Sequence, residues 1–283
     1  MRVIAPGKLV LTGAYAVLDG APAIVVAVDR YAAADIRSPT QVDVRELYDE
    51  GGRKLGLGSS AAAVVATLAA RAMARGEDPR YAAVRAEIFR VARGVHAREQ
   101  HGGSGVDVAA SVHGGVLRYA VQRGEAAMRA VNLPSDLVLA AYWSGTSART
   151  SELIARVDAL RARSADSAAF ATLREVAADA ADAVEERSAL AFVDRAAAFG
   201  CALEALGHAA DAPIVPPALA ELARMAEGER GAFLPSGAGG GDVAIWLGVA
   251  PPSTTFASRA EALALRPLAL SVDRGGVRPE SPS

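Results

Sequence analysis

The chain has 283 residues, and its 30 basic and 32 acidic residues give a formal net charge of −2 at pH 7. This near balance provides no overall positive field, so nucleic acid is not an expected partner. The single cysteine, Cys201, excludes an internal disulfide and a thiolate metal cage, and the longest apolar run, Ala21–Val28, is far too short to span a bilayer.

The first predicted elements are strands with turns over residues 2–37. Leu9–Thr12 and Ala23–Val28 are short apolar runs separated by a turn signal, whereas residues 38–55 are polar and predicted to form turns. Pro6–Lys8 interrupts the N-terminal apolar stretch. We therefore expect no signal peptide and a cytoplasmic location.

Two helices are predicted next. An alanine-rich pattern indicates a helix that is capped by Ser59 or Ser60 and ends before Gly76, a residue type typical of the position after a helix. A second helix is predicted over Pro79–Gln100, where a glycine-rich stretch stops it.

The second half of the chain mixes helices with strands. Its predicted elements are strands at Val116–Val121, Leu137–Trp143 and Val243–Val249, two or three helices within 150–207, and a helix at Pro217–Glu227. The tail from Asp273 is predicted to be frayed. Because the order is not a strict alternation of strand and helix, an α+β fold is favoured over a doubly wound sheet.

A glycine-containing segment, Gly56–Ala61, stands just before the first helix. Its glycines allow close approach of a ligand, and the first-turn N–H groups and the helix dipole favour an anion. The plainer alternative is a turn followed by a serine cap. A P-loop is excluded because Leu9 follows Gly7-Lys8, and a dinucleotide fold is excluded because residues 49–54 are no buried strand.

Two other glycine-rich loops are candidates for chemistry. Pro235–Asp242 has three consecutive glycines before an apolar strand; it is either a loop that passes close to a ligand or to another loop, or a flexible surface connection. Asp107 follows the turn 102–105; it is either a helix cap or, in a phosphate cleft, a base or the partner of a lysine. The only lysines are Lys8 and Lys54, and the four histidines lack metal-site spacing.

These segments, in this order, resemble the GHMP kinases. Ala5–Gly13 is similar to the family's first motif, Gly56–Ala62 to its phosphate-binding second motif, and Ser236–Asp242 to its third motif. Three motifs in sequence order are a far more specific signal than any one of them.

Within the family, the chain resembles the phosphomevalonate kinases most. The resemblance rests on Lys54 before the second motif, on the stretch 96–109 around Gly-Ser-Gly-x-Asp, and on the Ser/Thr segment 144–151. Mevalonate kinases usually carry acids where this chain has Ala14 and, near the other place, His96. Both absences argue against a mevalonate kinase.

The resemblance implies an α+β enzyme of two domains, residues 1–145 and 146–283. The N-terminal half would resemble the second domain of ribosomal protein S5, and the C-terminal half a ferredoxin-like sandwich. It implies ATP and Mg²⁺, and phosphorylation of (R)-5-phosphomevalonate to 5-diphosphomevalonate on the mevalonate route to isoprenoids. The implied partner is a small phosphorylated acceptor, with no nucleic acid or membrane, and the enzyme would be a monomer or a homodimer.

The resemblance also implies roles for residues. Lys8 would stabilise charge in the transition state, Asp107 would orient Lys8 or accept a proton, and Ser60, with Ser59 as the next candidate, would hold Mg²⁺. The ATP phosphates would bind Gly56, Leu57, Gly58, Ser59, Ser60 and Ala61, and the acceptor would bind Lys54, Ser147, Ser236, Gly237 and Ala238. By its chemistry alone, Arg149 is a further candidate for the acceptor carboxylate.

One departure from the family leaves alternatives open. The stretch 28–54, which usually builds the adenine side, is short in this chain. The alternatives are a GHMP kinase for another small acceptor, such as mevalonate, and a family member that binds a nucleotide or metabolite without catalysis.

Overall fold

The computed structural model describes residues 1–99, 103–147, 150–165 and 167–281. The predicted helix end at Gln100 and the candidate Arg149 lie outside these residues. Within them, no helix is both long enough and apolar enough to cross a lipid bilayer.

The described residues of the first half form six strands and three α-helices. In chain order they are β1 (Arg2–Thr12), β2 (Ala23–Asp35), β3 (Ser38–Asp43), α1 (Ser59–Ala74), α2 (Ala82–Glu99), α3 (Val106–His113), β4 (Val116–Gln122), β5 (Glu125–Val131) and β6 (Val138–Trp143).

The second half is richer in helix. In chain order its elements are α4 (Thr150–Ser164), α5 (Ala168–Glu185), α6 (Ala189–Ala210), α7 (Pro217–Gly228), β7 (Ala232–Pro235), β8 (Val243–Gly248), α8 (Thr254–Ala262), β9 (Arg266–Leu268) and β10 (Arg278–Pro279). Three helices thus occupy the region for which two or three were predicted.

The strands form two antiparallel sheets. In the first, the order is β10-β1-β2-β4-β5, and β3 also pairs with β2; in the second, it is β7-β8-β6-β9. This arrangement of antiparallel sheets and helices confirms the predicted α+β class. Strand β6 lies in the second sheet and β10 returns to the first. The division of the chain at 145/146 stays a prediction.

The centre of the first sheet is deeply buried. All of Ala23–Val28 in β2 is buried, which explains why its sequence is a continuous apolar run rather than an alternating one. Helices α1 and α3 pack on β1 and β2. In α1, Ala62, Ala66 and Ala69 are fully buried, and their small side chains let the helix approach the strands closely.

The two strands within residues 2–37 are longer than the apolar runs that indicated them: β1 begins at Arg2, before Leu9, and β2 continues past Val28 to Asp35. Other predicted bounds are wrong. The segment 38–55, predicted as turns, contains β3, and neither β5 nor α8 was predicted. Neither β3 nor β5 contains a buried residue, and in the described sheet each pairs with one neighbour, so the partner strand rather than a buried apolar pattern creates them.

The prediction of a frayed tail from Asp273 is also wrong. The Asp273 carboxylate is nearly inaccessible, accepts hydrogen bonds from the N–H groups of Gly275 and Gly276, and lies 2.8 Å from Nη2 of Arg278. β10 then pairs with β1. A buried, paired carboxylate fixes a segment whose glycine and proline content alone suggests fraying.

Candidate active site

Lys8 lies where the three sequence motifs meet. Only 7% of the residue is exposed. Its Nζ lies 3.7 Å from Oδ1 of Asp107 and donates to the carbonyl oxygen of Gly56 at 3.5 Å. A Cβ placed on Gly237 would lie 3.7 Å from the same Nζ. One ammonium group therefore faces helix α3, the second motif and the third motif.

Strand β1 crosses the second motif at very short range. The N–H of Lys8 donates to the carbonyl oxygen of Leu57 at 2.9 Å. A Cβ on Gly7 would lie 2.7 Å from that same oxygen, closer than side chains allow. Glycine at position 7 is thus required for the first two motifs to pack together.

The second motif leads directly into α1. The N-cap of this helix is Gly58, with φ 76° and no side-chain hydrogen bond, so the prediction of a serine cap is wrong. A Cβ at this position would be strained by the positive φ and would lie 3.1 Å from Cε of Lys8, so glycine suits this cap. The first turn holds no acidic residue. The N–H groups at the start of α1 therefore remain suited to an anion.

Asp107 is not a helix cap either. Helix α3 begins after Gly105, which has φ 83° and takes the N-cap position, and Asp107 follows within the first turn. Its side chain is 28% exposed and reaches Lys8. Of the three sequence interpretations of Asp107, the helix cap is wrong, the contact with Lys8 fits the lysine partner, and the role of base stays a prediction.

The third motif is held against the other two. The N–H of Val10 in β1 donates to the buried Oγ of Ser236 at 2.9 Å. A Cβ on Gly56 would lie 2.4 Å from Cβ of Asp242, so the second and third motifs touch at this glycine. These contacts make the alternative of a flexible surface connection wrong.

Lys54 and Ser147 form the outer part of the site. Both residues are exposed. The segment that carries Ser147 is tied to the third motif, because the N–H of Asp242 donates to Thr146 and the N–H of Ser144 donates to the carbonyl of Asp242, at 2.9 and 2.8 Å. The segment 144–147 therefore lies beside the third motif, and the acceptor roles of Lys54 and Ser147 stay predictions.

A family model matches part of the N-terminal half, and a curated relative matches most of the chain. The family described as "GHMP kinases N terminal domain" matches residues 23–115. A phosphomevalonate kinase from Streptomyces sp. (strain CL190) is 30% identical over 86% of this chain and 88% of its own length. The chain belongs to the GHMP kinase family.

Solved structures share the fold of this GHMP kinase. A Lin0012 protein from Listeria innocua has a TM-score of 0.83 at 22% identity, covering 98% of both chains. The Streptococcus pneumoniae phosphomevalonate kinase in complex with phosphomevalonate and AMPPNP has a TM-score of 0.79 at 18% identity, and the match covers 96% of this chain and 99% of its own. An L. major mevalonate kinase in complex with R-mevalonate has a TM-score of 0.71 at 17% identity, and the match covers 98% of this chain and 97% of its own.

The GHMP kinase site offers Mg²⁺ few protein ligands. Within the described ranges, no group of three or more His, Cys, Asp or Glu residues could hold a metal ion. Ser59 is buried, whereas Ser60 is half-buried and the more accessible hydroxyl. This set fits a metal ion held mainly by phosphate oxygens and water, as Mg²⁺ commonly is.

Two residues of the site were not predicted from the sequence, Tyr15 and Arg53. The Tyr15 hydroxyl donates to the carbonyl oxygen of Ala238 at 2.7 Å. Burial, with the charge of Asp158 in support, raises the pKa of Tyr15, so this hydroxyl stays a donor. A tyrosine inside an apolar run is the one sequence signal that could have revealed it, because a buried hydroxyl needs a partner.

Proposed function

We propose that this GHMP kinase transfers the γ-phosphoryl group of ATP to the phosphate of (R)-5-phosphomevalonate, giving 5-diphosphomevalonate and ADP on the mevalonate route to isoprenoids. The observation that carries the proposal is the buried Lys8 ammonium, which faces Asp107 and the second and third motifs together. The identity of the acceptor is supported by the 30% identical relative, which is a phosphomevalonate kinase.

The transfer is a single displacement at phosphorus. An oxygen of the acceptor phosphate bonds to the γ-phosphorus while the bond to the β–γ bridging oxygen breaks, and ADP leaves with that electron pair. The attacking oxygen is already anionic at neutral pH, so proton removal is not the main requirement. The main requirement is to hold two polyanions together and to stabilise the charge of the transition state.

The inner residues meet that requirement. The Lys8 ammonium would stabilise the transferring group, and the Asp107 carboxylate, 3.7 Å from it, holds the ammonium in place. The ATP phosphates would bind the backbone of Gly56–Ala61 at the start of α1. When bound, Mg²⁺ neutralises phosphate charge, and Ser60 would hold it.

The outer residues would bind the acceptor. Lys54 and Ser147 are exposed and free to meet its phosphate and carboxylate. The Ser236 oxygen accepts from Val10, which leaves its hydrogen available for donation to the acceptor. Gly237 and Ala238 would contribute backbone groups. In this proposal, residues 1–145 bind ATP and residues 146–283 complete the acceptor site.

The test is ADP release from Mg-ATP with phosphomevalonate, with mevalonate and with no acceptor. Turnover with phosphomevalonate alone is expected. Turnover with mevalonate alone would replace the proposed acceptor. If no acceptor releases ADP while calorimetry shows nucleotide binding, the protein is a non-catalytic member of the family, as the short 28–54 segment would allow.

A further inference from the structure

Arg53 joins two segments of the site that are far apart in the chain. Its guanidinium carbon lies 4.8 Å from the ring centroid of Trp143, and its Nη1 donates to the carbonyl oxygen of Gly145 at 2.8 Å. Trp143 is 3% exposed and ends β6, an interior strand of the second sheet. The guanidinium thus rests on a rigid part of the fold.

Asp49 fixes the other side of Arg53. Its Oδ2 accepts from Nε and Nη2 at 2.9 and 2.7 Å, and its Oδ1 accepts from the Arg53 N–H at 2.7 Å. The N–H of Asp49 donates back to the Arg53 carbonyl at 2.8 Å. These bonds, with the backbone N–H first, lower the pKa of Asp49. Residues 49–53 therefore form a closed loop that moves as one unit.

The consequence is a fixed spacing on the acceptor side. Lys54 directly follows the loop, and Gly145 lies two residues before Ser147. The segment 144–146 is in turn bonded to Asp242 of the third motif, which touches Gly56. Arg53 closes this circuit of contacts around the outer part of the site.

We propose that Arg53 is a positioning residue that sets the distance between Lys54 and Ser147 and so the affinity for the acceptor. The proposal rests on the proposed function for the identity of that acceptor. Arg53 acts through the fork of its guanidinium: Nε and Nη2 donate to the Asp49 carboxylate, Nη1 donates to the Gly145 carbonyl, and the guanidinium carbon lies over the Trp143 ring. A lysine keeps the charge but cannot make these contacts together.

The experiment compares Arg53→Lys and Arg53→Ala with the wild type by steady-state kinetics and thermal unfolding. Both variants are expected to raise the acceptor KM about tenfold, as a shift of reacting groups by a fraction of an ångström does. The KM for ATP is expected to stay within about twofold of the wild-type value. The groups proposed for ATP, Gly56–Ala61, follow Lys54 in the chain, and within the described residues no hydrogen bond joins them to Arg53. A merely stabilising pair would lower the Tm and leave both KM values unchanged.

A matched control is Arg80→Ala. Arg80 makes the same backbone and bidentate bonds to Asp78 in the turn between α1 and α2, and its loss should change neither KM. The double variant Arg53→Ala/Lys54→Ala should have the acceptor KM of Lys54→Ala alone, because Arg53 acts through Lys54.

Three results would overturn the inference: a wild-type acceptor KM in Arg53→Lys, an equal rise in the KM for ATP, or fully additive effects in the double variant. The acceptor used is whichever one the wild type turns over. An active wild type with an unaffected Arg53→Lys overturns this inference alone, whereas an inactive wild type overturns the proposed function. In that second case, calorimetric titration with phosphomevalonate decides, and equal affinity of wild type and Arg53→Lys, or no binding, overturns the inference as well.

Discussion

Helices α1 and α3 begin in the same way and differ in their first turn. Each starts after a glycine in the left-handed region, Gly58 with φ 76° and Gly105 with φ 83°, and neither has a side-chain cap. The first turn of α1 holds no acidic residue, whereas that of α3 holds Asp107.

This one difference gives the two helix starts opposite chemistry. The positive end of α1 has no carboxylate and is suited to a polyphosphate, while the end of α3 is compensated by Asp107, which faces Lys8. A Cβ on Gly58 would lie 3.1 Å from Cε of Lys8 and 3.6 Å from Oδ2 of Asp107, so both ends meet at this lysine. Both helix starts have a positive electrostatic field, and the presence or absence of Asp107 determines whether that start attracts a cation or an anion.

The largest expected effect comes from removing the shared cation. Lys8→Met should lower kcat about 10³-fold, because a single cation at the transferring phosphoryl group contributes that much. The measurement is ADP release, with circular dichroism to show that the variant folds. Lys54→Met is the comparison: it should raise the acceptor KM and change kcat far less. A folded Lys8→Met variant with the wild-type kcat would contradict the proposed role of Lys8 in stabilising the transferring phosphoryl group.

Neutralising the start of α3 should have the next largest effect. Asp107→Asn keeps the shape of the side chain and removes the charge that holds Lys8, so kcat should fall about 10²-fold. The KM for ATP should change little, since α1 is untouched. Equal losses in kcat and in ATP affinity would show that the two helix starts do not act separately.

Giving α1 an acid should make it resemble α3. Ser60→Asp places a carboxylate in the first turn, and repulsion of the phosphates should raise the KM for ATP at least tenfold, while the dipole stabilises the fold by about 0.5 kcal/mol. Ser60→Asn is the neutral control for loss of the hydroxyl. If Ser60→Asp and Ser60→Asn raise the KM for ATP equally, the charge at the start of α1 does not determine ATP binding.

A methyl group at the cap of α1 separates backbone strain from contact with Lys8. Gly58→Ala and Gly76→Ala both put an L residue at positive φ, and each should lower the free energy of unfolding by about 1 kcal/mol. A Cβ on Gly58 would crowd Lys8, whereas one on Gly76 would meet nothing within 4 Å. Only Gly58→Ala should therefore lower kcat as well, measured at equal fractions folded.

The smallest expected effect is at the far end of α3. Burial, and then the charge of Arg85, lowers the pKa of His113, whose Nε2 is buried without a partner among the described residues. The unfolded chain, with a histidine pKa of about 6.5, binds the proton first as pH falls, so stability is full above that pH and declines below it. Denaturant unfolding between pH 7.5 and 5 should show that the free energy of unfolding declines less in His113→Gln than in the wild type. The control, His208→Gln, changes an exposed histidine and should decline as the wild type does.

The sequence was a good guide where the requirement is local. Gly56 and Gly58 have positive φ, a property of the residues themselves, and the alanine-rich pattern after them specifies α1 without reference to the rest of the chain. It was a poor guide to the cap: serine is the better cap in isolation, yet the cap position has a positive φ and lies against the side chain of Lys8, fifty residues earlier, and both favour glycine.

What the sequence determined by itself was the α+β class, the order of the three motifs and the candidates Lys8 and Asp107, because composition, apolar pattern and glycine placement are written along the chain. Only the tertiary structure decided that Lys8 meets Asp107, Gly56 and Gly237, that Arg53 rests on Trp143, and that residues 273–279 are held by hydrogen bonds, an ion pair and β10. Each of these is a contact between distant segments, and its stability depends on geometry and burial that no local pattern encodes.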